Sequence, residues 1–81
     1  MPFTNEQITE MEVLLHYNID NTLEGIKVHK TARPEVIEAT RRLYQKGMLT
    51  LEDGGYLTDL GHETAEHAQA LLTLLAPPQI A

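Results

Sequence analysis

The spacing of apolar residues changes at Gly47, from the period of a helix to the period of a strand. From Pro34 to this glycine, apolar residues recur every three or four positions, whereas beyond it Leu49 and Leu51 alternate with polar residues. Glycine is typical of a helix end, because it readily takes the left-handed conformation. The sequence therefore predicts a helix that leads directly into a β-hairpin. The predicted buried stripe of this helix consists of Val36, Ile37, Thr40, Leu43 and Tyr44.

The turn of the hairpin is predicted at residues 53–55, Asp-Gly-Gly, which are residue types that tight turns favour. A three-residue loop would pair Leu51 with Leu57 on the core face, whereas a two-residue loop would put the two leucines on opposite faces. We expect the three-residue loop, because it pairs one apolar side chain with another.

A first helix is predicted from Asn5 to about Tyr17. Thr4 and Gln7 have the spacing of a capping box, in which each side chain binds the other's backbone N–H. The predicted buried positions are Ile8, Met11, Leu14, Leu15 and Tyr17. The acidic residues Glu6, Glu10 and Glu12 are expected on the other faces of the helix.

Two further elements complete the predicted order. Residues 25–29, in which Ile26 and Val28 alternate with polar residues, indicate a short strand. A long last helix is expected to begin at a cap formed by Thr58 or Asp59 and to end before Pro77. Its predicted buried stripe consists of Leu60, Thr64, Ala68, Leu71, Leu72 and Leu75. The predicted order is therefore helix, strand, helix, hairpin, helix.

The segment around the hairpin resembles the wing of bacterial winged-helix regulators of the multiple-antibiotic-resistance and phenolic-acid types. The chain enters the hairpin through Lys46-Gly47-Met48-Leu49 and leaves it through Leu57-Thr58-Asp59-Leu60-Gly61. The resemblance implies an α+β, winged-helix-like domain, which we expect over residues 1–76. The tail over residues 77–81 is expected to fray, because Pro77 and Pro78 end the last helix. Those regulators have two helices between the first strand and the wing. Here residues 30–33 alone separate the strand from Pro34, which implies a reduced helix-turn-helix.

Nearly the whole chain also resembles a small family of acidic bacterial proteins of about this length, a domain of unknown function. The resemblance lies in Phe3-Thr4, Glu24-Gly25-Ile26-Lys27-Val28-His29 and Gly54-Gly55-Tyr56-Leu57-Thr58-Asp59-Leu60-Gly61. Members are sometimes described as DNA-binding or as related to an inhibitor of DNA binding. The resemblance supplies no catalytic or ligand-binding residue.

Charge is distributed unevenly along the chain, whose net charge is −6. All six basic residues lie between positions 27 and 46, a window that contains only two acids and is therefore +4. These candidate contacts for nucleic acid or an acidic partner are Lys27, Lys30, Arg33, Arg41, Arg42 and Lys46. One interpretation is a phosphate-binding face. The other, which we favour, is that these cations suit the end of a helix and pair with nearby acids such as Glu38.

The chain offers little for catalysis. It has no cysteine, which excludes thiolate chemistry and suits a reducing compartment, and we expect a cytoplasmic protein without a membrane span. His62 and His67 are five residues apart, about 140° around a helix, so they cannot share one metal ion. We expect weak pairs with Glu66 and Glu63 instead. The sequence predicts a non-enzymatic protein with no catalytic residue, metal, cofactor or small-molecule substrate.

The end of the last helix carries more apolar surface than one face can bury. Its candidate contacts with a partner are Leu71, Leu72, Leu74 and Leu75. Either the first helix covers them, or they form the seam of a homodimer, as the last helix does in winged-helix regulators. The leading hypothesis is a small regulatory or protein-interaction module that self-associates through this helix. The alternative is a small DNA-binding protein that uses the basic second helix.

Overall fold

The computed structural model describes residues 2–20 and 24–78, which form three helices and a small three-stranded antiparallel sheet. The protein is therefore α+β, and the order of its elements confirms the order predicted from the sequence. In chain order the elements are α1 (Asn5–Leu14), β1 (Ile26–Lys27), α2 (Pro34–Gln45), β2 (Leu49–Leu51), β3 (Gly54–Leu57) and α3 (Asp59–Leu75).

Local capping signals determine where the helices begin. The capping box at the start of α1 is confirmed: the Gln7 N–H donates to Thr4 Oγ1 over 3.0 Å, and the Thr4 N–H donates to Gln7 Oε1 over 2.9 Å. Pro34 is the first residue of α2. Of the two candidate caps for α3, Thr58 is the one used, because its hydroxyl accepts from the Gly61 N–H over 3.0 Å.

Helix α1 is shorter than predicted. It ends at Leu14, and the N–H groups of His16 and Tyr17 then bond three residues back, in a tighter turn. Tyr17 is nevertheless buried, as predicted, with 3% of its surface exposed. At the end of α2, Gly47 has a φ of 80°, which confirms it as the left-handed residue that stops the helix.

The predicted turn of the hairpin is wrong. The turn consists of Glu52 and Asp53, and strand β3 already begins at Gly54, which pairs with Leu51. Leu57 pairs with Leu49 instead of Leu51, and an irregularity between the two pairs shifts the register. Leu51 is therefore more than half exposed, whereas Leu49 is buried.

The two glycines belong to the strand because β3 is the central strand of the sheet. Its order is β1-β3-β2, with Gly55 opposite Ile26 and Gly54 opposite Lys27. Gly54 has a φ of 128°, and a Cβ atom there would lie 2.5 Å from the carbonyl oxygen of Ile26. Glycine at this position thus permits a close approach between strands, where the sequence indicated a turn.

The core lies between the three helices and one face of the hairpin. Its buried apolar residues are Val13, Leu14, Tyr17, Ala39, Leu43, Leu49 and Ala65. The predicted stripes of all three helices need correction. Helix α1 buries Val13 and Glu10, whereas Ile8 is 36% exposed; in α2, Tyr44 is 40% exposed.

The predicted buried stripe differs most from the structure in α3. This helix buries Gly61 and Ala65, while Leu60 is 47% exposed. Small residues face the core here because the first turn of α3 lies directly on the backbone of Met48. A leucine at that position would not fit.

Residues 28–33, between β1 and α2, form a turn and a bend without a helix, as the short spacing in the sequence predicted. At the other end, Pro77 and Pro78 are exposed, and residues 79–81 of the predicted frayed tail lie outside the described residues. None of the helices within residues 2–20 and 24–78 has the length and apolar character needed to cross a membrane.

Candidate functional site

The basic window does not form one face, because its cations point in two directions. Arg42, predicted as a contact for nucleic acid, turns towards α1. Its Nε donates to Glu10 Oε2 over 3.1 Å, its Nη1 lies 3.5 Å from Glu6 Oε2, and its Nη2 donates to the Glu6 carbonyl oxygen over 3.3 Å. Three contacts with one neighbouring helix leave the Arg42 side chain 26% exposed.

Lys46 binds the same acid. Its Nζ donates to the second carboxylate oxygen of Glu10, so this carboxylate bridges both cations of α2. Glu10 is itself buried, with 6% of its surface exposed. A buried carboxylate is stable only where charges or hydrogen bonds compensate for lost water. Arg42 and Lys46 supply that compensation and hold α1 against α2.

Arg33 and Arg41 form exposed ion pairs. Arg33 lies 3.4 Å from Glu35 and 4.0 Å from Glu12 of α1. Arg41 donates to Glu38 over 3.3 Å, and Glu38 is the acid that the sequence indicated as a partner. Exposed pairs of this kind contribute about 0–1 kcal/mol each and leave the cations accessible.

Lys27 and Lys30 have no ion pair with another described residue. Lys30 lines a cleft of about 220 Å³ between the loop after β1, helix α2 and the hairpin turn. Arg41 and His29 line the same cleft, but so do the acids Glu52 and Asp53. Of the accessible cations, Lys30 and Arg41 therefore share a small cleft of mixed charge, which Lys27 and Arg33 do not line.

His62 and His67 lie on α3 and make the pairs expected from the sequence. His62 Nδ1 is 3.0 Å from Glu66, and His67 Nε2 is 4.0 Å from Glu63. The second ring nitrogen of His62 lies 2.5 Å from the Ile19 carbonyl oxygen, which attaches the helix to the chain after α1. Within residues 2–20 and 24–78, no three His, Asp or Glu side chains come together as metal ligands would.

Tyr17 joins three parts of the fold. Its hydroxyl donates to the Gly55 carbonyl oxygen over 3.0 Å, and its own carbonyl oxygen accepts from Gln69 Nε2 over 3.1 Å. Burial raises the pKa of Tyr17 to about 12, and the negative charge of Asp53 acts in the same direction. This hydroxyl therefore stays protonated at neutral pH and acts as a structural donor.

The end of α3 extends beyond the core. Every residue from position 70 to position 78 is exposed, and the exposed fraction reaches 81% at Leu74 and 74% at Leu75. Leu72 is 59% exposed and Leu71 is 39% exposed. Helix α1 leaves these leucines uncovered, so the chain presents an apolar helix end to solvent.

A groove between α1 and α3 begins where the core ends. It has a volume of about 300 Å³, and one of its lining residues, Leu71, also belongs to the exposed end of α3. Its other apolar lining residues are Phe3, Met11, Leu14, Leu43, Met48 and Ala68. We call this the α1–α3 groove.

Sequence reasoning missed Glu10 and the α1–α3 groove. Glu10 gave no local signal, because the cations that bind it are 32 and 36 positions away. Phe3 and Met11 had apolar character that was visible in the sequence. Their position beside the end of α3 follows only from how the two helices pack.

Three comparisons with known proteins give one match. A family model described as a family of unknown function (DUF5669) matches residues 1–76, nearly the whole chain. No curated protein and no solved structure is significantly similar to it.

Proposed function

We propose that this chain, which belongs to the family of unknown function DUF5669, is a small non-enzymatic protein-interaction or regulatory module that self-associates through the end of α3. We propose residues 1–76 as its single domain, of winged-helix-like architecture with a reduced helix-turn-helix. In keeping with the absence of cysteine, we place it in the cytoplasm.

The observation that carries the proposal is the exposure of three neighbouring leucines. Leu72, Leu74 and Leu75 are between 59% and 81% exposed, and they lie on a regular helix about two to three turns beyond Ala65, its last core residue. Single exposed apolar residues are common, but a contiguous group of them marks an interaction surface. We call these three residues the leucine end.

The size of the leucine end suits a reversible contact. Together the three side chains expose roughly the surface of two fully exposed leucines. Burying each equivalent contributes about 1.5–3 kcal/mol, so a two-fold contact would gain about 6–12 kcal/mol. Association costs about 4–15 kcal/mol. Because gain and cost are of similar size, we expect a dimer that depends on concentration.

Charge favours this end of the molecule for contact between two copies. Two chains of net charge −6 repel each other. Residues 68–78 carry no charged side chain, so a contact there keeps the acidic parts of the two copies apart. Salt screens the repulsion, and we therefore expect self-association to strengthen as the salt concentration rises.

The alternative is a DNA-binding protein, and one observation favours it. Lys30 and Arg41 face the same cleft beside the hairpin turn, where a winged-helix protein presents both helix and wing. Against it, Arg42 and Lys46 are held by Glu10 and could contact phosphate only by giving up that acid. We propose that the cleft docks an acidic segment of a partner protein in preference to nucleic acid.

Sedimentation velocity over a series of protein concentrations tests the proposal. We expect the sedimentation coefficient of the wild-type protein to rise with concentration, and that of Leu74→Glu to stay at the value of a monomer. Leu60→Glu is the matched control, because it places the same charge on an exposed leucine at the other end of α3. A wild-type protein that remains monomeric throughout would contradict the proposal.

A further inference from the structure

We infer that the leucine end of one chain occupies the α1–α3 groove of a second copy, so that two chains exchange the ends of their α3 helices. The inference rests on the proposed self-association and adds the surface that receives the leucines. The proposed occupant of the groove is a second copy of this chain.

The groove and the leucine end form one continuous stripe. Leu71 lines the groove, and Leu74 and Leu75 follow it at the three- and four-residue spacing that keeps side chains on one helix face. The apolar face of α3 therefore runs from the groove directly past the edge of the domain. A two-fold axis near Leu71 would place each leucine end over the other copy's groove, which makes the contact self-complementary.

The lining of the groove is mainly apolar. Phe3 is 44% exposed and Met11 is half-buried, so both present apolar surface to an incoming side chain. Methionine adapts to irregular partners because its side chain is unbranched and flexible. The floor, formed by Leu14 and Met48, is also apolar.

Charge selects a neutral occupant. Three titratable side chains line the groove. Glu10 and Lys46 bind each other, and His67 lies 4.0 Å from Glu63. A charged peptide would therefore find no unpaired partner in this pair, whereas the leucine end brings no charge with it. The occupant that the groove favours is thus present on the chain itself.

Two variants and their mixture test the exchange. Met11→Glu places a charge in the groove and leaves the leucine end intact, whereas Leu74→Lys places a charge on the leucine end and leaves the groove intact. Each variant alone should self-associate at least tenfold more weakly than the wild-type protein. Mixed in equal amounts they should form a dimer, because one of its two contacts is native and the other pairs Glu with Lys.

Sedimentation velocity of each variant and of the mixture measures these outcomes, at a concentration where the wild-type protein is mainly dimeric. A Met11→Glu protein that dimerises like the wild type would overturn the exchange and leave the proposed function standing, since the leucine ends would then contact each other directly. Two monomeric variants that fail to associate on mixing would also overturn it. A monomeric wild-type protein would remove both proposals.

Folding of each variant is checked by thermal melting followed by circular dichroism. If Met11→Glu fails to fold, Phe3→Glu replaces it, because Phe3 precedes α1 and is 44% exposed. The expected results for Phe3→Glu are the same, alone and mixed with Leu74→Lys. Leu60→Glu again serves as the control and should dimerise like the wild-type protein.

Discussion

Arg42 and Glu10 are 32 positions apart in the sequence and are joined by a hydrogen bond of 3.1 Å. The bond links α2 to α1, and Lys46 completes it by binding the other oxygen of the same carboxylate. Two of the six cations predicted from the sequence as candidate contacts for nucleic acid therefore stabilise the fold. Arg42 and Lys46 are therefore the structural part of the basic window, and its other four cations are the accessible part.

Replacement of Glu10 by glutamine is expected to destabilise the protein by about 2 kcal/mol, because Arg42 would keep its charge and lose its buried partner. Urea denaturation measures the change in the free energy of unfolding. Glu12→Gln is the control, since Glu12 is exposed and lies 4.0 Å from Arg33. We expect it to change stability by less than about 0.5 kcal/mol. Equal effects of the two variants would show that the buried carboxylate has no special role.

Tyr17 is expected to make stability depend on pH in the alkaline range. The tyrosine of the unfolded chain loses its proton near pH 10.0, whereas the pKa of Tyr17 in the folded protein is raised to about 12. Between these values the unfolded chain binds fewer protons than the folded protein, so the stability present below pH 10 is lost as the pH rises. Denaturation at several pH values measures this loss.

The variant Tyr17→Phe isolates that contribution. At neutral pH we expect it to be less stable than the wild type by about 1 kcal/mol, because the hydrogen bond to Gly55 is lost. The difference should shrink as the pH rises from 10 to 12, since the variant has no hydroxyl to titrate. Tyr56→Phe, at a half-exposed tyrosine, is expected to follow the wild type. A difference between Tyr17→Phe and the wild type that stays constant with pH would contradict this account.

Gly61→Ala is expected to lower the stability of the protein, although the same substitution within a helix usually raises it. In a helix, alanine is normally more stable than glycine by about 1 kcal/mol. Here the new Cβ atom would lie 2.9 Å from the Met48 carbonyl carbon and closer still to its oxygen. We therefore expect a loss of more than about 2 kcal/mol, measured as a lower midpoint of thermal unfolding.

Gly47→Ala provides the comparison for Gly61→Ala. A Cβ atom at Gly47 would meet nothing within 4 Å, so the change introduces only the strain of its φ of 80°. We expect a loss of about 1 kcal/mol for this variant. If Gly61→Ala were as mild as Gly47→Ala, the close contact between α3 and Met48 would be wrong.

The parts of the fold that sequence predicted correctly depend on neighbouring residues. The local signals all act within one helical turn. They are Thr4 with Gln7, Pro34 at the start of α2, Gly47 at its end, and Thr58 before α3. The element order followed from these signals together with the change of period at Gly47. Local physical chemistry was sufficient for that level of description.

The errors arose where a distant partner decides the outcome. Gly54 and Gly55 suggested a turn, but pairing with β1 makes them part of a strand. Glu10 was expected on a face other than the buried stripe, but it is buried and paired with two cations from α2. In α3 the sequence indicated a stripe that began at Leu60, whereas the helix buries Gly61 and Ala65, and contact with the Met48 backbone requires glycine at position 61.

The candidate contact residues also divide into those that the sequence could identify and those that only the packing of the helices reveals. The leucines of α3 could be identified from their spacing, which gives the end of this helix more apolar surface than one face buries. The division of the basic residues into a structural and an accessible group required the packing of α1 on α2. Arg41 and Arg42 are adjacent in sequence, yet they face different surfaces.

The most direct measurement is sedimentation velocity of the wild-type protein, alone and with a labelled random-sequence DNA duplex, at low and at moderate salt. We predict a dimer that forms as concentration rises, persists or strengthens with added salt, and leaves the duplex free under both conditions. A complex with DNA that forms at low salt and dissociates as salt rises would contradict the account, and it would make Lys27, Lys30 and Arg41 the residues to change first.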